Sequence, residues 1–325
     1  MTEGRVLRDH NVDVAKDSVR WRRSLRLLQA LWREEHGWPA GSPAPGARSV
    51  GSCLAADEAE RLGWNFLTHA IFARARHEVD TYGSLPGSDP RHKVLKTPRL
   101  FNNLLSSQPL CFNLFAELDE DRQLASVVAR RLWPGIVDEV RRIEFEWSPG
   151  RANPKYLDNR SAFDVFIEHT TPSGGRGFLG IEVKYHEDLK NRAGDVRGRA
   201  RQVATQSGVF MEPDSPRMTE APLNQLFLDH LLALSMLESD DGWETGRFVF
   251  AYPAVNAVCH QAVGRYEDCL VDVATFEALT LEKIIDAILA ASSDDWPREF
   301  RRRYLDYSRT LEVGFPPVDV QPERG

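Results

Sequence analysis

FLGIEVKYHEDLK, residues 178–190, is apolar enough to be a buried strand, yet it carries Glu182 and Lys184 two residues apart. Side chains alternate across a strand, so Leu179, Ile181, Val183 and Tyr185 share one face while Gly180, Glu182 and Lys184 share the other. At a rise of about 3.3 Å per residue the α-carbons of Glu182 and Lys184 stand roughly 6.6 Å apart, room for an ion and a water between the side-chain tips. Acids and lysines also alternate on the solvent face of any half-exposed antiparallel strand, so the spacing alone leaves a catalytic and a surface reading open.

Working outward, AFDVFIEH (162–169) and IEFEW (143–147) have the β-branched and aromatic content of strands. TTPSGGRG (170–177) is a Gly-rich turn that predicts an antiparallel hairpin joining AFDVFIEH to the quoted stretch. Asp164 is expected to point away from Phe163 and Val165. If the hairpin arms pair, two carboxylates and an ammonium converge at one place. Two buried carboxylates together need a cation, and oxygen ligands favour Mg²⁺ or Mn²⁺. Such an ion can orient water and neutralise charge on a phosphoryl group, with Lys184 beside the attacking water or the scissile phosphate.

RLFNNLLSSQPLCFNLFAEL (99–118) and DRQLASVVARRLW (121–133) read as helices, with Pro109 starting or kinking one. APLNQLFLDHLLALSMLE (221–238) is apolar nearly all round, which predicts a helix buried against a sheet. RFVFAYP (247–253) and CLVDVATF (269–276) read as further strands, and LEKIIDAILA (281–290) as a helix with Thr280 as its N-cap. From about residue 119 the order is helix, three strands, helix, strand, an α/β core with a mixed sheet.

Residues 13–35 place Val14, Trp21, Leu25, Leu28 and Trp32 on one helical face; residues 37–52, rich in Gly, Pro and Ser, read as a linker; residues 57–80 read as a second helix. The chain divides on this reading into an N-terminal helical extension, 1–90, and a second domain, 91–325. The arginines of the two helices (Arg20, Arg22, Arg23, Arg26, Arg74, Arg76) could lie along a phosphate backbone or on a solvated face. NRAGDVRGRARQ (191–202) is too Gly-rich for a stable helix. Its Arg192, Arg197, Arg199 and Arg201 are candidates for nucleic-acid contact on a flap, or belong to a solvated loop.

A net charge of -7 over 325 residues opposes a surface built throughout to attract nucleic acid, so any basic site must be local. Cys53, Cys111, Cys259 and Cys269 lack the close pairs of a zinc cage and fit reduced thiols. Neither a signal peptide nor a run of roughly 20 apolar residues is evident, which suggests a soluble, cytoplasmic protein without a membrane partner. There is no G-x-S-x-G elbow and no Walker A loop.

RSAFD (160–164), then GIEVK (180–184), preceded by IEFEWSPGR and followed by the buried helix with Gln225, resembles the PD-(D/E)XK nuclease superfamily. Within it, NNLLSSQPLCFNLF (102–115) and FDVFIEH…GFLGIEVKYHEDL are similar to a bacterial group of nuclease-like proteins, over most of residues 95–310. The resemblance implies a restriction-endonuclease-like αβββαβ core, with Asp164 as the motif aspartate, Glu182 as the second acid and Lys184 as the motif lysine. It also implies that the Val183 carbonyl joins Asp164 and Glu182 on the metal. Phe163 stands where the motif has Pro. Glu144, which shares a strand face with Glu146, is the candidate upstream acid; Glu117 and Asp121 are rivals, and a surface role is open for all four. Gln225 and Asp229, one helical turn apart, either face the site or are core polar groups. Ser106, Ser107 and Gln108 belong to the resemblance, with helix capping as their plain explanation. The activity implied is a Mg²⁺- or Mn²⁺-dependent nuclease, acting on DNA in preference to RNA, in bacterial defence or genome maintenance. The alternative is a nuclease-fold binding or assembly module that is inactive or needs a partner; a homo-oligomer or protein partner fits either.

Overall fold

The turn at Thr170–Gly177 does reverse the chain. In a computed structural model, which describes residues 2–190 and 194–321, it joins strands β2 (Phe163–Thr170) and β3 (Arg176–Val183) as antiparallel neighbours. With β1 (Glu139–Trp147), β4 (Thr245–Tyr252) and β5 (Phe276–Thr280) they form one sheet in the order β1-β2-β3-β4-β5. β1, β2 and β3 pair antiparallel, and β3, β4 and β5 pair parallel.

The N-terminal part supplies α1 (Glu3–Asp9), α2 (Arg20–Glu35), α3 (Ala56–Leu62), α4 (His69–Glu78), α5 (Arg99–Asn102), α6 (Ser107–Glu120) and α7 (Arg122–Leu132). After β3 come α8 (Arg199–Gln206), α9 (Pro216–Thr219), α10 (Asn224–Leu237), α11 (Ala257–Glu267), α12 (Leu281–Leu289), α13 (Trp296–Tyr304) and α14 (Ser308–Glu312). α10 and α11 are the crossovers that parallel pairing requires.

Both faces of the sheet are covered. One face presents Ile143, Phe145, Val165, Leu179, Ile181 and Val249 to a core shared with α6, α7, α12 and α13. The other presents Phe166, Phe178, Phe248 and Phe250 to α8, α10 and α11. Burial of both faces explains why β3 and β4 read as near-continuous apolar runs. Apolar residues dominate α10 all round because it packs between the sheet and α8, with Leu226, Phe227, Leu231 and Leu232 buried.

α2 docks on the same molecule-wide core. Trp21 and Leu25 join the cluster that contains Leu179 and Ile181, and Gln29 Nε2 donates to Tyr185 Oη at 3.0 Å and to the Arg303 carbonyl at 3.0 Å. The expected helix over 13–35 starts only at Arg20, so Val14 is off the helix. Residues 57–80 break into α3 and α4 at Gly63, whose φ of +72° ends α3 in the left-handed region that glycine tolerates. CLVDVATF is mostly loop, with the strand beginning at its last residue, Phe276. NRAGDVRGRARQ was expected to be non-helical, yet Arg199 starts α8, where burial of Ala200, Val203 and Ala204 against α10 overrides the local glycines. Thr280 caps α12 by accepting from Lys283 N at 3.2 Å, as its position suggested.

Candidate active site

The β2/β3 register aligns Val165 with Ile181, which sets Asp164 across from Glu182 one step further along the hairpin. Leu179, Ile181, Val183 and Tyr185 do share the first core, as alternation requires. Alternation fails at the start of β2, however. Phe163 joins the second core with Phe166, while Val165 joins the first. The Phe163 ring lies over Gly180, where a Cβ would stand 2.5 Å from it, so this glycine is the side-chain-free spot that lets Phe163 cross the hairpin. Asp164 is thereby turned toward β3, and its Oδ2 accepts the Val183 N–H at 2.9 Å.

Glu182 is 5 % exposed and Lys184 7 %. Lys184 Nζ donates to Glu182 Oε1 at 2.5 Å, and the Gln225 amide donates to the same oxygen. Lys184 therefore touches Glu182 directly, leaving no room for an ion between the two tips.

Two further carboxylates feel this group. Asp229, on α10 one turn from Gln225, is buried with an Oδ2 that has no hydrogen-bond partner among the described residues. Burial raises the pKa of both Asp164 and Asp229 well above the carboxylate range, and the charge of Glu182 adds to the rise at each, against the opposing pull of Lys184. Glu146 is also pushed up by burial, partly countered by Arg151, whose Nη2 donates to Glu146 Oε1 at 3.0 Å. Burial works against the Lys184 ammonium, but Glu182 and Asp164 overcome it and hold this pKa up.

The two glutamates of β1 have different surroundings. Glu144 faces away into ion pairs, with Lys93 Nζ donating to its Oε2 at 3.2 Å and Arg142 at 3.8 Å. Glu146 is the β1 acid whose charge reaches Asp164 and Glu182. Its φ of +47° is a left-handed kink inside β1, which keeps its register with β2 as far as Trp147, and Trp147 stacks on Phe166 with ring centroids 3.7 Å apart. Of the rivals, Glu117 accepts from Thr68 Oγ1, and Asp121 caps α7 through Leu124 N at 2.8 Å.

A cleft of about 600 Å³ opens beside Lys184 and Gln225. One wall is the loop after β3, Glu187 to Lys190, and the other is Val14, Lys16, Arg22, Arg26 and Val50 of the N-terminal segment. Arg99 belongs to its floor. Ser106 and Ser107 cap no helix with their side chains. Instead Arg99 Nε donates to Ser106 Oγ at 3.1 Å, and Ser107 Oγ donates to Glu187 Oε1 at 3.1 Å. Burial alone would raise the Glu187 pKa, yet Lys184 and the Tyr185 N–H hold it below its usual value. Gln108 holds the chain before it, donating to the Val94 carbonyl at 2.8 Å.

The basic candidates on the expected flap lie elsewhere. Arg197 pairs with Asp195 at 2.8 Å, Arg199 with Glu238 at 2.8 Å and Arg201 with Asp214 at 2.6 Å. None of these three lines the cleft, and Arg192 lies outside the described residues. Of the N-terminal arginines, Arg22 and Arg26 line it; Arg23 pairs with Glu3, Arg74 with Glu78 and Asp119, and Arg76 with Glu60.

Donor chemistry here fits a hard divalent ion. Asp164, Glu182 and the end of β3 offer oxygens, while the Asp229 Oδ2, without a partner among the described residues, and the raised pKa of Asp164 and Asp229 mark a place where a nearby cation would relieve crowded carboxyl groups. Among the described residues no group of three or more His, Cys, Asp or Glu side chains is arranged to hold a metal.

A five-stranded mixed sheet flanked by helices on both faces is the architecture of the restriction-endonuclease-like fold. The family model for the PD-(D/E)XK nuclease superfamily matches residues 15–306, and the chain belongs to that superfamily, a class of phosphodiester-cleaving enzymes. The match begins ahead of α2, inside the segment expected as an extension. No curated protein and no solved structure matches the chain. No helix among the described residues is long and apolar enough to cross a membrane.

Proposed function

We propose that the protein is a divalent-metal-dependent nuclease that hydrolyses phosphodiester bonds in DNA, in a bacterial cytoplasmic defence or genome-maintenance role. The observation that carries this is the hairpin end, where Asp164 is fixed by the Val183 N–H while Glu182 takes both Lys184 and Gln225 on one oxygen. Asp164, Glu182 and the Val183 carbonyl would hold Mg²⁺ or Mn²⁺. When bound, the ion supplies Lewis-acid activation of water and neutralisation of phosphoryl charge.

The chain's own residues do the rest. Gln225 holds the Glu182 carboxylate in one rotamer, and Lys184 stays protonated because two carboxylates stabilise its charge. A fixed ammonium at this place can hydrogen-bond a water or a phosphate oxygen as negative charge grows on it. Glu146, anchored by Arg151, takes the upstream position expected for Glu144. A cation bound nearby would favour the ionised form of Asp229, which burial and Glu182 otherwise disfavour.

The test is a cleavage assay on single-stranded and duplex DNA and on RNA, with Mg²⁺ or Mn²⁺, using folded wild type, Glu182→Ala and Lys184→Ala. Cutting by wild type alone supports the assignment. Equal activity in the two variants defeats it.

A further inference from the structure

The cleft beside Lys184 reverses the charge of the molecule. The chain as a whole carries -7, yet the cleft is lined by Lys16, Arg22, Arg26, Arg99, Lys184 and Lys190 against only Glu187 and Asp188. These cations fall into two kinds. Arg22 and Arg26 converge on the buried Asp17, with Arg22 Nε at 3.5 Å, and serve the fold. Lys16 is exposed and has no acidic partner among the described residues. Lys190 is 76 % exposed with Asp188 Oδ2 at 3.4 Å, and Arg99 is 42 % exposed with Glu187 at 3.7 Å, both loose surface pairs. The second group is available to a ligand.

The width of the cleft is fixed by ties between its walls. Arg22 Nη1 donates to Asp188 Oδ2 at 2.8 Å, and His186 Nε2 lies 3.3 Å from Asp17 Oδ1. These buried or half-buried contacts run from the N-terminal segment to the loop after the metal-binding strand, so the walls part only if they break. A compact space of about 600 Å³ is roughly 8–10 Å across, too small to take in a duplex, whose major groove alone is roughly 12 Å wide. Val14, Val50 and Leu105 add apolar surface on which a sugar or base can rest.

We propose that this cleft is the entry for single-stranded DNA, a free strand or an unpaired end, with its phosphates on Lys16, Arg99 and Lys190 and its leading phosphodiester delivered to Lys184. The proposal rests on the nuclease reading for its direction of travel. It does not need catalysis to be observed. Among the described residues the lining holds no Phe, Tyr or Trp, and its one ring, His186, is held against Asp17, so bases are accepted without stacking and without sequence preference.

The experiment is fluorescence anisotropy in EDTA with the full chain and three labelled probes of about 16 nucleotides: oligothymidylate, its ribonucleotide counterpart and the blunt duplex. The single DNA strand is expected to bind at least about tenfold tighter than the duplex. The doubly substituted Lys16→Ala, Arg99→Ala protein should weaken single-strand binding and make the slope of log K against log salt shallower by about 1.4, two phosphate contacts' worth. Lys190→Glu, at an exposed position, should weaken binding in the same direction. Duplex binding as tight as single-strand binding, or an unchanged salt slope in the double variant, overturns the proposal; tighter binding of the ribonucleotide overturns its assignment to DNA. The two readings fail separately. A protein that binds single strands in this way but cuts nothing with Mg²⁺ or Mn²⁺ loses the nuclease reading alone, and one that cuts but binds duplex equally well loses the cleft alone.

Discussion

Lys184, the first residue past β3, and Glu182, within it, are bonded at 2.5 Å, and neither is more than 7 % exposed. The ammonium is the positive group that both Glu182 and Asp164 lean on. Lys184→Met keeps the stem and removes the charge, so it is expected to lower the cleavage rate by about 10²–10³-fold, the cost of deleting one preorganised donor. Single-turnover rates at saturating substrate check this; a loss confined to KM would place Lys184 in binding instead.

How much of this was legible follows from what periodicity can and cannot encode. Alternation in GFLGIEVKY and the Gly-rich turn before it predict the hairpin, the face of Glu182 and Lys184, and the carboxylate partner in Asp164. Glu144 and Glu146 are indistinguishable by alternation, because both are even-numbered on β1. A left-handed residue at Glu146 separates them, and a backbone turn at one glutamate leaves no trace in composition. Phe163 crosses to the other face for a similar local reason, the missing side chain of Gly180. The cleft wall escapes, since Val14 carries a helical period that the chain does not follow before Arg20, Val50 lies in a segment read as a linker, and the wall is drawn together by Asp17 and its arginines. Asp229 was visible only as a polar residue one turn from Gln225, with the choice between site and core left open.

A cation is expected to bind where Asp164 and Glu182 meet. Mn²⁺ at about 100 times its dissociation constant should stabilise the folded protein by about 2.7 kcal/mol, measured as a shift in the denaturant midpoint. Asp164→Asn keeps an oxygen acceptor for the Val183 N–H but removes one negative charge, so the Mn²⁺-dependent shift should shrink or vanish. An undiminished shift in this variant would move the ion to other ligands.

Asp229 is costly to the metal-free fold because burial and Glu182 both disfavour its charge and its Oδ2 is unpaired. Asp229→Asn should therefore raise stability in EDTA by about 1–3 kcal/mol, in the range seen when buried charges are replaced. Added Mn²⁺ should narrow the gap between variant and wild type, since a nearby cation offsets the same charge. Chemical denaturation of both proteins with and without the ion reads this out, and a less stable variant in EDTA would show that Asp229 has a partner in solution.

His230 predicts a pH dependence away from the site. It is fully buried on α10, its Nδ1 3.0 Å from Tyr266 Oη and its Nε2 2.8 Å from Thr275 Oγ1, and burial lowers its pKa to about 3. The unfolded chain takes up a proton near the usual histidine value of about 6.5, whereas the folded chain does not. Stability from this group is thus complete above about pH 6.5 and falls by about 1.4 kcal/mol per unit as the pH drops toward the folded value. His230→Gln should remove that slope between roughly pH 6 and pH 4, while other groups keep theirs. Denaturant midpoints across that range decide it, and identical slopes would mean that His230 is protonated in the fold.

Asp17 is the residue through which the N-terminal segment acts on the cleft. Its side chain is fully buried, with Arg26 on one oxygen and Arg22 and His186 near the other. Burial would raise its pKa, but His186 and Arg26 reverse the balance and hold it far below the ordinary carboxylate range. Asp17→Asn leaves two guanidinium groups beside a neutral amide and should cost about 3–5 kcal/mol, as for one partner removed from a buried ion pair. The stronger consequence is local. With His186 and Arg22 released, the wall carrying Val14 and Lys16 loses its hold on the loop after β3, so amide exchange should quicken at residues 13–19 and 186–190 before the sheet is affected. Exchange that accelerates evenly over the whole chain would mean that Asp17 supports global stability alone and does not set the cleft wall.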